Sequence, residues 1–171
     1  MAPLTDDLDL ARLQLVRGEG RRLELAVAPG RFSLGGEPYD VDPAQPDAVL
    51  DISRTSSGGY ALRLRFSVAL DGRCMRCLEP AHPQLDIDVR EVDQPGGGDE
   101  LSSPYVDEAS VLDVKAWARD SLVLELPKQV LCRPDCAGLC PVCGKDLNAE
   151  PHEHERAPDP RWAKLRELEL E

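Results

Sequence analysis

Apolar and polar residues alternate in several stretches of the first half of the chain. The longest alternation runs over residues 60–71, where every second residue is apolar: Tyr60, Leu62, Leu64, Phe66, Val68 and Leu70. A period of two over this length predicts a β-strand with one face on a hydrophobic core. Shorter alternations at 21–27 and 85–89, and a mostly apolar stretch at 48–52, predict further strands. Because the links between them are short, we expect a mostly antiparallel sheet from about residue 20 to residue 93.

The period changes after a glycine-rich stretch at 94–103, which we interpret as a flexible loop. Spacings of three and four then relate the residues Val114, Trp117, Ala118, Ser121 and Leu122. This pattern predicts a helix over 113–125, with Asp113 as its N-cap and Pro127 as its stop. The large indole of Trp117 is expected to anchor this helix to the sheet.

Near the end of the chain, Asp and Pro at 159–160 precede an apolar stripe and predict a short C-terminal helix. The expected fold class is therefore α+β, with a mostly antiparallel sheet and one packing helix. We expect an α+β domain over 1–127. A smaller unit over 128–171 would then hold a cluster of cysteines and the terminal helix.

The charge of the chain limits its partners. Twenty basic against 32 acidic residues give a net charge of −12, which disfavours broad nucleic-acid binding and favours protein partners. The chain begins without a basic, apolar leader and contains no run of about 18 apolar residues. We therefore expect a cytoplasmic protein without a membrane span. In that compartment clustered thiols favour metal binding over disulfides.

Four cysteines and two histidines fall within residues 132–154, a concentration typical of a metal site. The sequence CPVC at 140–143, followed by Gly144, predicts a zinc knuckle, because two such thiolates can grip one tetrahedral ion. Cys140 and Cys143 are thus the first two expected ligands. The other two come from one of two pairs, which spacing does not separate: Cys132 with Cys136, or His152 with His154. Such a closed site indicates structural zinc, and free thiols are the alternative.

A second Cys-x-x-Cys pair, Cys74 and Cys77, follows the longest predicted strand. Three interpretations are open: burial at the strand end, a metal site shared with the pair at 140 and 143, and a redox role. Burial is favoured, and the redox role ranks last because the residues after Cys77 do not open the helix that a thioredoxin-like site needs.

The same region carries an excess of arginine, with five arginines and one acidic residue over 53–78. Two of these, Arg63 and Arg65, are expected to face Asp86 and Asp88 across neighbouring strands. At the end of the strand, Arg73 and Arg76 are better candidates for contact with RNA or a partner. The thiols of Cys74 and Cys77 lie beside them in the sequence and join this candidate contact surface.

Motifs for catalysis are missing from the sequence. The glycines at 96–98 lack the Lys and Ser/Thr of a phosphate-binding loop, and no nucleophile motif or dinucleotide fingerprint is present. We expect a protein that is not an enzyme and has no small-molecule substrate.

Four segments together resemble the bacterial YceD family over roughly residues 50–168. They read CMRCLEP at 74–80, LVLELP at 122–127, CAGLCPVCGKDLN at 136–148 and DPRWAKL at 159–165. The family is named for large-subunit ribosomal RNA accumulation. The resemblance implies a factor in large ribosomal subunit biogenesis that promotes rRNA synthesis, processing or accumulation. It further implies ribosomal or rRNA-processing proteins as partners, with rRNA contact as an additional expectation.

The family also bears on the metal ligands. Some members carry a Cys-x-Cys pair where this chain has His152 and His154, which favours these histidines as ligands. Others lack the C-terminal cysteines, which implies that the metal stabilises the protein rather than serving the shared function. An interaction module with structural zinc in another pathway, such as transcription, is the main alternative function. A thiol redox protein is a weaker one.

Overall fold

The computed structural model describes residues 2–154, which form nine β-strands, one α-helix and two short 3-10 turns. The strands are β1 (Asp7–Asp9), β2 (Gly20–Ala26), β3 (Phe32–Leu34), β4 (Glu37–Asp42), β5 (Asp47–Arg54), β6 (Tyr60–Arg73), β7 (Pro80–Ala81), β8 (Gln84–Asp93) and β9 (Val111–Asp113), and the helix is α1 (Val114–Leu124). A mostly antiparallel sheet with one helix confirms the predicted α+β fold. The helix predicted after residue 159 lies outside the described residues.

Strand β6 is the centre of the main sheet. It pairs with β8 along one edge, and with β5 and then β4 along the other. Strand β2 lies outside β5, strand β3 lies outside β4, and β7 pairs with the last residues of β6. Every one of these pairings is antiparallel, and β1 and β9 form a separate antiparallel pair.

The alternation in β6 decides which face of the sheet is buried. Its six alternating apolar residues are at most 5% exposed: Tyr60, Leu62, Leu64, Phe66, Val68 and Leu70. In register, Leu64 lies opposite Leu50 of β5 and Val89 of β8. Each fully buried side chain of this size contributes about 1.5–3 kcal/mol, so the hydrophobic pattern fixes the face that packs on the core.

Residues 35–47 are rich in Gly, Pro and Asp, a composition that predicts a connection, but the structure places strand β4 within them. Only Tyr39 and Val41 of this strand are buried, which is too short a pattern to show a period. The Tyr39 ring packs directly on Gly72, where a Cβ would overlap it, and its hydroxyl donates to the carbonyl of Arg73 at 2.8 Å. This contact fixes the end of β6 immediately before the first cysteine.

The helix α1 packs against β8 and β1. Its N-cap is Asp113, whose carboxylate accepts from the amide of Ala116 at 2.7 Å. Trp117 is 1% exposed and stacks on Tyr105 with ring centroids 6.2 Å apart. After the helix the chain returns to the end of β6, where the carbonyl of the buried Val130 accepts from the amide of Met75 at 2.8 Å.

Ion pairs cover the outer face of the sheet. Arg63 donates to Asp88 of β8 at 2.7 Å, diagonally across the strand pair, because the residue directly opposite Asp88 is Arg65. Arg65 instead donates to Asp51 of β5, also at 2.7 Å, and Arg22 of β2 donates to the same carboxylate at 2.6 Å. These arginines therefore serve the sheet itself. None of the helices within residues 2–154 has the length and apolar character to cross a membrane.

Candidate metal centres

The first Cys-x-x-Cys pair forms a knuckle, which we name the first knuckle, at residues 74–79. The amide of Cys74 donates to the carbonyl of Glu79 at 2.8 Å, and the amide of Leu78 donates to the carbonyl of Cys74 at 3.0 Å. The amide of Arg76 approaches the Cys74 sulfur at 3.5 Å. Leu78 closes the turn in the left-handed region, with φ of 65°.

The second knuckle, residues 140–145, repeats the first bond for bond. The amide of Cys140 donates to the carbonyl of Lys145 at 2.8 Å, and the amide of Gly144 donates to the carbonyl of Cys140 at 2.8 Å. The amide of Val142 approaches the Cys140 sulfur at 3.5 Å, and Gly144 has φ of 73°. The two pairs thus have the same local structure, with leucine in one and glycine in the other at the left-handed position.

The fold divides eight Cys and His residues into two groups of four. The thiolate group contains Cys74, Cys77, Cys132 and Cys136, and the mixed group contains Cys140, Cys143, His152 and His154. In each group the ligand atoms all lie within 4.8 Å of one another, so each group could hold a metal ion. The second knuckle therefore meets the downstream histidines, whereas the upstream cysteines meet the first knuckle.

Two sulfur–sulfur distances in the thiolate group fit a tetrahedral ion. The Cys74 and Cys136 sulfurs are 3.8 Å apart, and the Cys77 and Cys132 sulfurs are 3.6 Å apart. Zinc–sulfur bonds of about 2.3 Å at tetrahedral angles place sulfurs about 3.8 Å apart, whereas a disulfide needs about 2.05 Å. All six cysteines are free, and within this group only Cys132 is exposed.

The mixed group lies nearer the surface. Its Cys143 sulfur is 3.1 Å from Nε2 of His152, and the His154 ring meets the His152 ring edge-on at 5.0 Å. The other ring nitrogen of His152, Nδ1, donates to the carbonyl of Glu150 at 2.7 Å. A carbonyl can only accept, so this bond leaves Nε2 as the nitrogen available to a metal.

Electrostatics favour a thiolate at the start of each knuckle. Burial raises the pKa of Cys74, but hydrogen bonds from backbone amides overcome it and lower that pKa to about 6. Backbone amides of Cys143 and Val142 lower the pKa of Cys140 to about 6 as well. Although the Glu79 amide opposes the shift, burial and the neighbouring thiols raise the pKa of Cys77 to about 12. The first cysteine of each knuckle thus carries the thiolate, which is the form that binds metal.

The two arginines that the sequence assigns to a contact surface have different surroundings. Arg76 donates to Gln129 and, at 3.0 Å, to the carbonyl of Cys136, while its own carbonyl accepts from the amide of Leu139. It therefore ties the first knuckle to the segment that carries the later cysteines. The Arg73 side chain is exposed at the end of β6.

The grouping of the first knuckle with Cys132 and Cys136 is the feature that sequence reasoning missed. A useful signal was the number of ligands, since six cysteines and the two clustered histidines make two complete tetrahedral sets. The remaining histidine, His82, faces Asp71 at 3.3 Å instead. The leucine at the left-handed position of the first knuckle also concealed its similarity to the second, where glycine is expected.

Comparison with known proteins extends these observations. The profile of the large ribosomal RNA subunit accumulation protein YceD matches residues 62–169, which include most of β6, the helix α1 and both groups of ligands. No solved structure matches the chain.

Relatives of the chain occur in mycobacteria and in a plant. Uncharacterized proteins of Mycobacterium tuberculosis and Mycobacterium bovis are each 36% identical to it over 182 residues, covering 98% of this chain and 82% of theirs. A protein of Zea mays named large ribosomal RNA subunit accumulation protein YCED homolog 1, chloroplastic, is 27% identical over 182 residues, covering 86% of this chain and 60% of its own. The profile match over residues 62–169 establishes that the chain belongs to the YceD family.

Proposed function

We propose that this protein is a non-enzymatic factor of large ribosomal subunit biogenesis that promotes the synthesis, processing or accumulation of large-subunit rRNA in the cytoplasm. The observation that carries this proposal is the YceD match over residues 62–169. The name of the maize relative agrees with it. Each Cys/His group supplies four protein ligands, whereas a catalytic zinc site supplies three and keeps one position open.

A structural zinc ion in the mixed group is part of this proposal. Two thiolates and two imidazoles form a usual tetrahedral zinc set, and the ligand atoms already lie within 4.8 Å of one another. Structural zinc supplies on the order of 10 kcal/mol of folding free energy to small motifs. We infer that residues 128–171 form a metal-stabilised appendage to an α+β domain at 1–127.

Ribosomal or rRNA-processing proteins are the proposed partners. A net charge of −12 attracts basic proteins and repels the phosphate backbone of RNA. Arg73 is the residue best suited to touch rRNA or an acidic part of a partner, because it is exposed at the end of β6. Arg76 contributes less, because its guanidinium already binds Gln129 and the Cys136 carbonyl.

Depletion of the protein in its own cells tests the proposed function. We expect the ratio of large-subunit to small-subunit rRNA to fall and precursors of the large-subunit rRNA to accumulate, with recovery on complementation by the wild-type chain. An unchanged ratio would contradict the proposal. Capture of the tagged protein with and without ribonuclease then separates protein partners from RNA-bridged ones. Recovery of transcription machinery with normal rRNA would instead indicate an interaction module of another pathway.

The role of Arg73 has a matched control in Arg17. Both are exposed, but Arg17 lies beside the Arg54 end of β5, at the opposite end of β6 from Arg73. The substitutions Arg73→Glu and Arg17→Glu change the net charge equally. We expect only Arg73→Glu to weaken partner capture and complementation. If the two variants behave equally, Arg73 has no specific role in binding a partner.

A further inference from the structure

We propose that the thiolate group, Cys74, Cys77, Cys132 and Cys136, is a second zinc site that clamps the C-terminal segment onto the end of β6. The chain would then bind two zinc ions, one in each group. This site goes beyond the proposed function in ribosome biogenesis and does not depend on it.

The four sulfurs converge from distant parts of the chain. Cys74 and Cys136 are 62 residues apart in sequence, and Cys77 and Cys132 are 55 residues apart, yet their sulfurs are 3.8 and 3.6 Å apart. Both distances match the edges of a tetrahedron around zinc, which are about 3.8 Å. Four neutral thiols have no need to converge in this way, since each is only a weak hydrogen-bond donor and acceptor.

Hydrogen bonds to the backbone also position these ligands. On one side, the first knuckle has the same three hydrogen bonds as the second knuckle, whose sequence is that of a zinc knuckle. On the other side, Arg76 donates to the Cys136 carbonyl, and the amide of Met75 donates to the carbonyl of Val130. Preorganisation of this kind reduces the ordering entropy that metal binding must overcome.

A polar side chain also supports one of the sulfurs. The Asn148 amide nitrogen lies 3.7 Å from the Cys136 sulfur, and its oxygen accepts from the amide of Ala137 at 2.8 Å and from Arg133 at 2.7 Å. Hydrogen-bond donors around coordinating thiolates orient the ligands and offset their charge. Asn148 belongs to the loop between the ligands of the mixed group, so it links the two sites.

The donor set selects the kind of ion. Soft thiolates in a closed tetrahedral arrangement bind zinc or iron, whereas hard cations such as calcium and magnesium require oxygen ligands. Three of the four cysteines are buried, which protects the ion from exchange with solvent. Four cysteines are a usual ligand set of structural zinc, so we assign zinc, in a role that joins the C-terminal segment to the sheet.

Metal content measured on the full chain tests this assignment. Native mass spectrometry and elemental analysis of protein purified without chelator should give two zinc ions per chain. The substitution Cys132→Ser, at the exposed ligand of the thiolate group, should leave one ion, and Cys143→Ser should likewise leave one. The substitution Asp135→Ser is the matched control, because it alters an exposed side chain between two ligands of the thiolate group, Cys132 and Cys136, and should keep both ions.

Cobalt substitution identifies which site remains filled and guards against misfolded variants. Cobalt bound in the Cys132→Ser variant should show the spectrum of a two-sulfur, two-nitrogen site, and in Cys143→Ser that of a four-sulfur site. One zinc ion in the wild type with no change on Cys132→Ser would overturn the proposal. Iron in place of zinc would overturn the metal assignment. Disulfides between Cys74 and Cys136 or between Cys77 and Cys132 in metal-free protein would overturn the proposal in favour of a redox role.

Discussion

Leu78 occupies a backbone conformation that normally belongs to glycine. Its φ is 65°, and the equivalent residue of the second knuckle is Gly144, with φ of 73°. In the left-handed region a Cβ atom approaches the following carbonyl oxygen, which costs roughly 1–2 kcal/mol. Glycine has no such penalty, so a comparison of the Leu78→Ala and Leu78→Gly variants should measure the backbone cost.

The leucine side chain must be separated from the backbone effect. Leu78 is 54% exposed, so its truncation to alanine removes only part of its buried apolar surface and should cost about 1 kcal/mol. Leu78→Gly loses the same contacts but relieves the strained backbone. We therefore expect Leu78→Gly to be about 1 kcal/mol more stable than Leu78→Ala and close to the wild type.

Gly144 provides the reciprocal experiment. A Cβ built there has no atom within 4 Å, so Gly144→Ala introduces backbone strain without a steric clash and should cost about 1 kcal/mol.

Thermal and urea unfolding at saturating zinc would measure all three variants, because a constant metal activity keeps its linkage to stability equal. For a domain of this size, 1 kcal/mol corresponds to about 2–4 °C in Tm. A Leu78→Gly variant less stable than Leu78→Ala would refute the left-handed assignment and, with it, the equivalence of the two knuckles.

Three further predictions concern the supports of the sites and the sheet. Asn148→Ala should weaken zinc binding at the proposed thiolate-group site by about 10–100-fold in chelator competition, because Cys136 loses a hydrogen-bond donor. Equal loss from both proposed sites, or no loss, would contradict this. Gly72→Ala should cost about 1–3 kcal/mol in urea unfolding, since its Cβ would overlap an aromatic ring of β4; an unchanged midpoint would be inconsistent with that contact. The hydrogen bond from Arg63 lowers the pKa of Asp88 in the folded protein. The wild type should therefore be more stable than Asp88→Asn at neutral pH, and this difference should disappear as the pH falls from about 4 through the lowered pKa of the folded state. A difference that persists at lower pH would have another origin.

The sequence by itself determined the elements whose pattern is local. Alternation over 60–71 decided that β6 is a strand and which of its faces is buried, because successive side chains of a strand point to opposite sides. Spacings of three and four with Asp113 as N-cap decided the helix for the same kind of reason. The second knuckle followed from its cysteine spacing and Gly144, since its hydrogen bonds lie within six residues.

Only the tertiary structure decided which distant residues meet. Whether Cys132 and Cys136 join the first or the second knuckle depends on where the chain after the helix returns to β6, and the contact between Met75 and Val130 sets that point. Likewise, Arg65 lies between Asp51 of β5 and Asp88 of β8. The strand order makes both carboxylates neighbours of Arg65, and its guanidinium donates to Asp51. Spacing along the chain limits which ligands a knuckle can reach, but the convergence of eight ligands into two groups of four follows from packing.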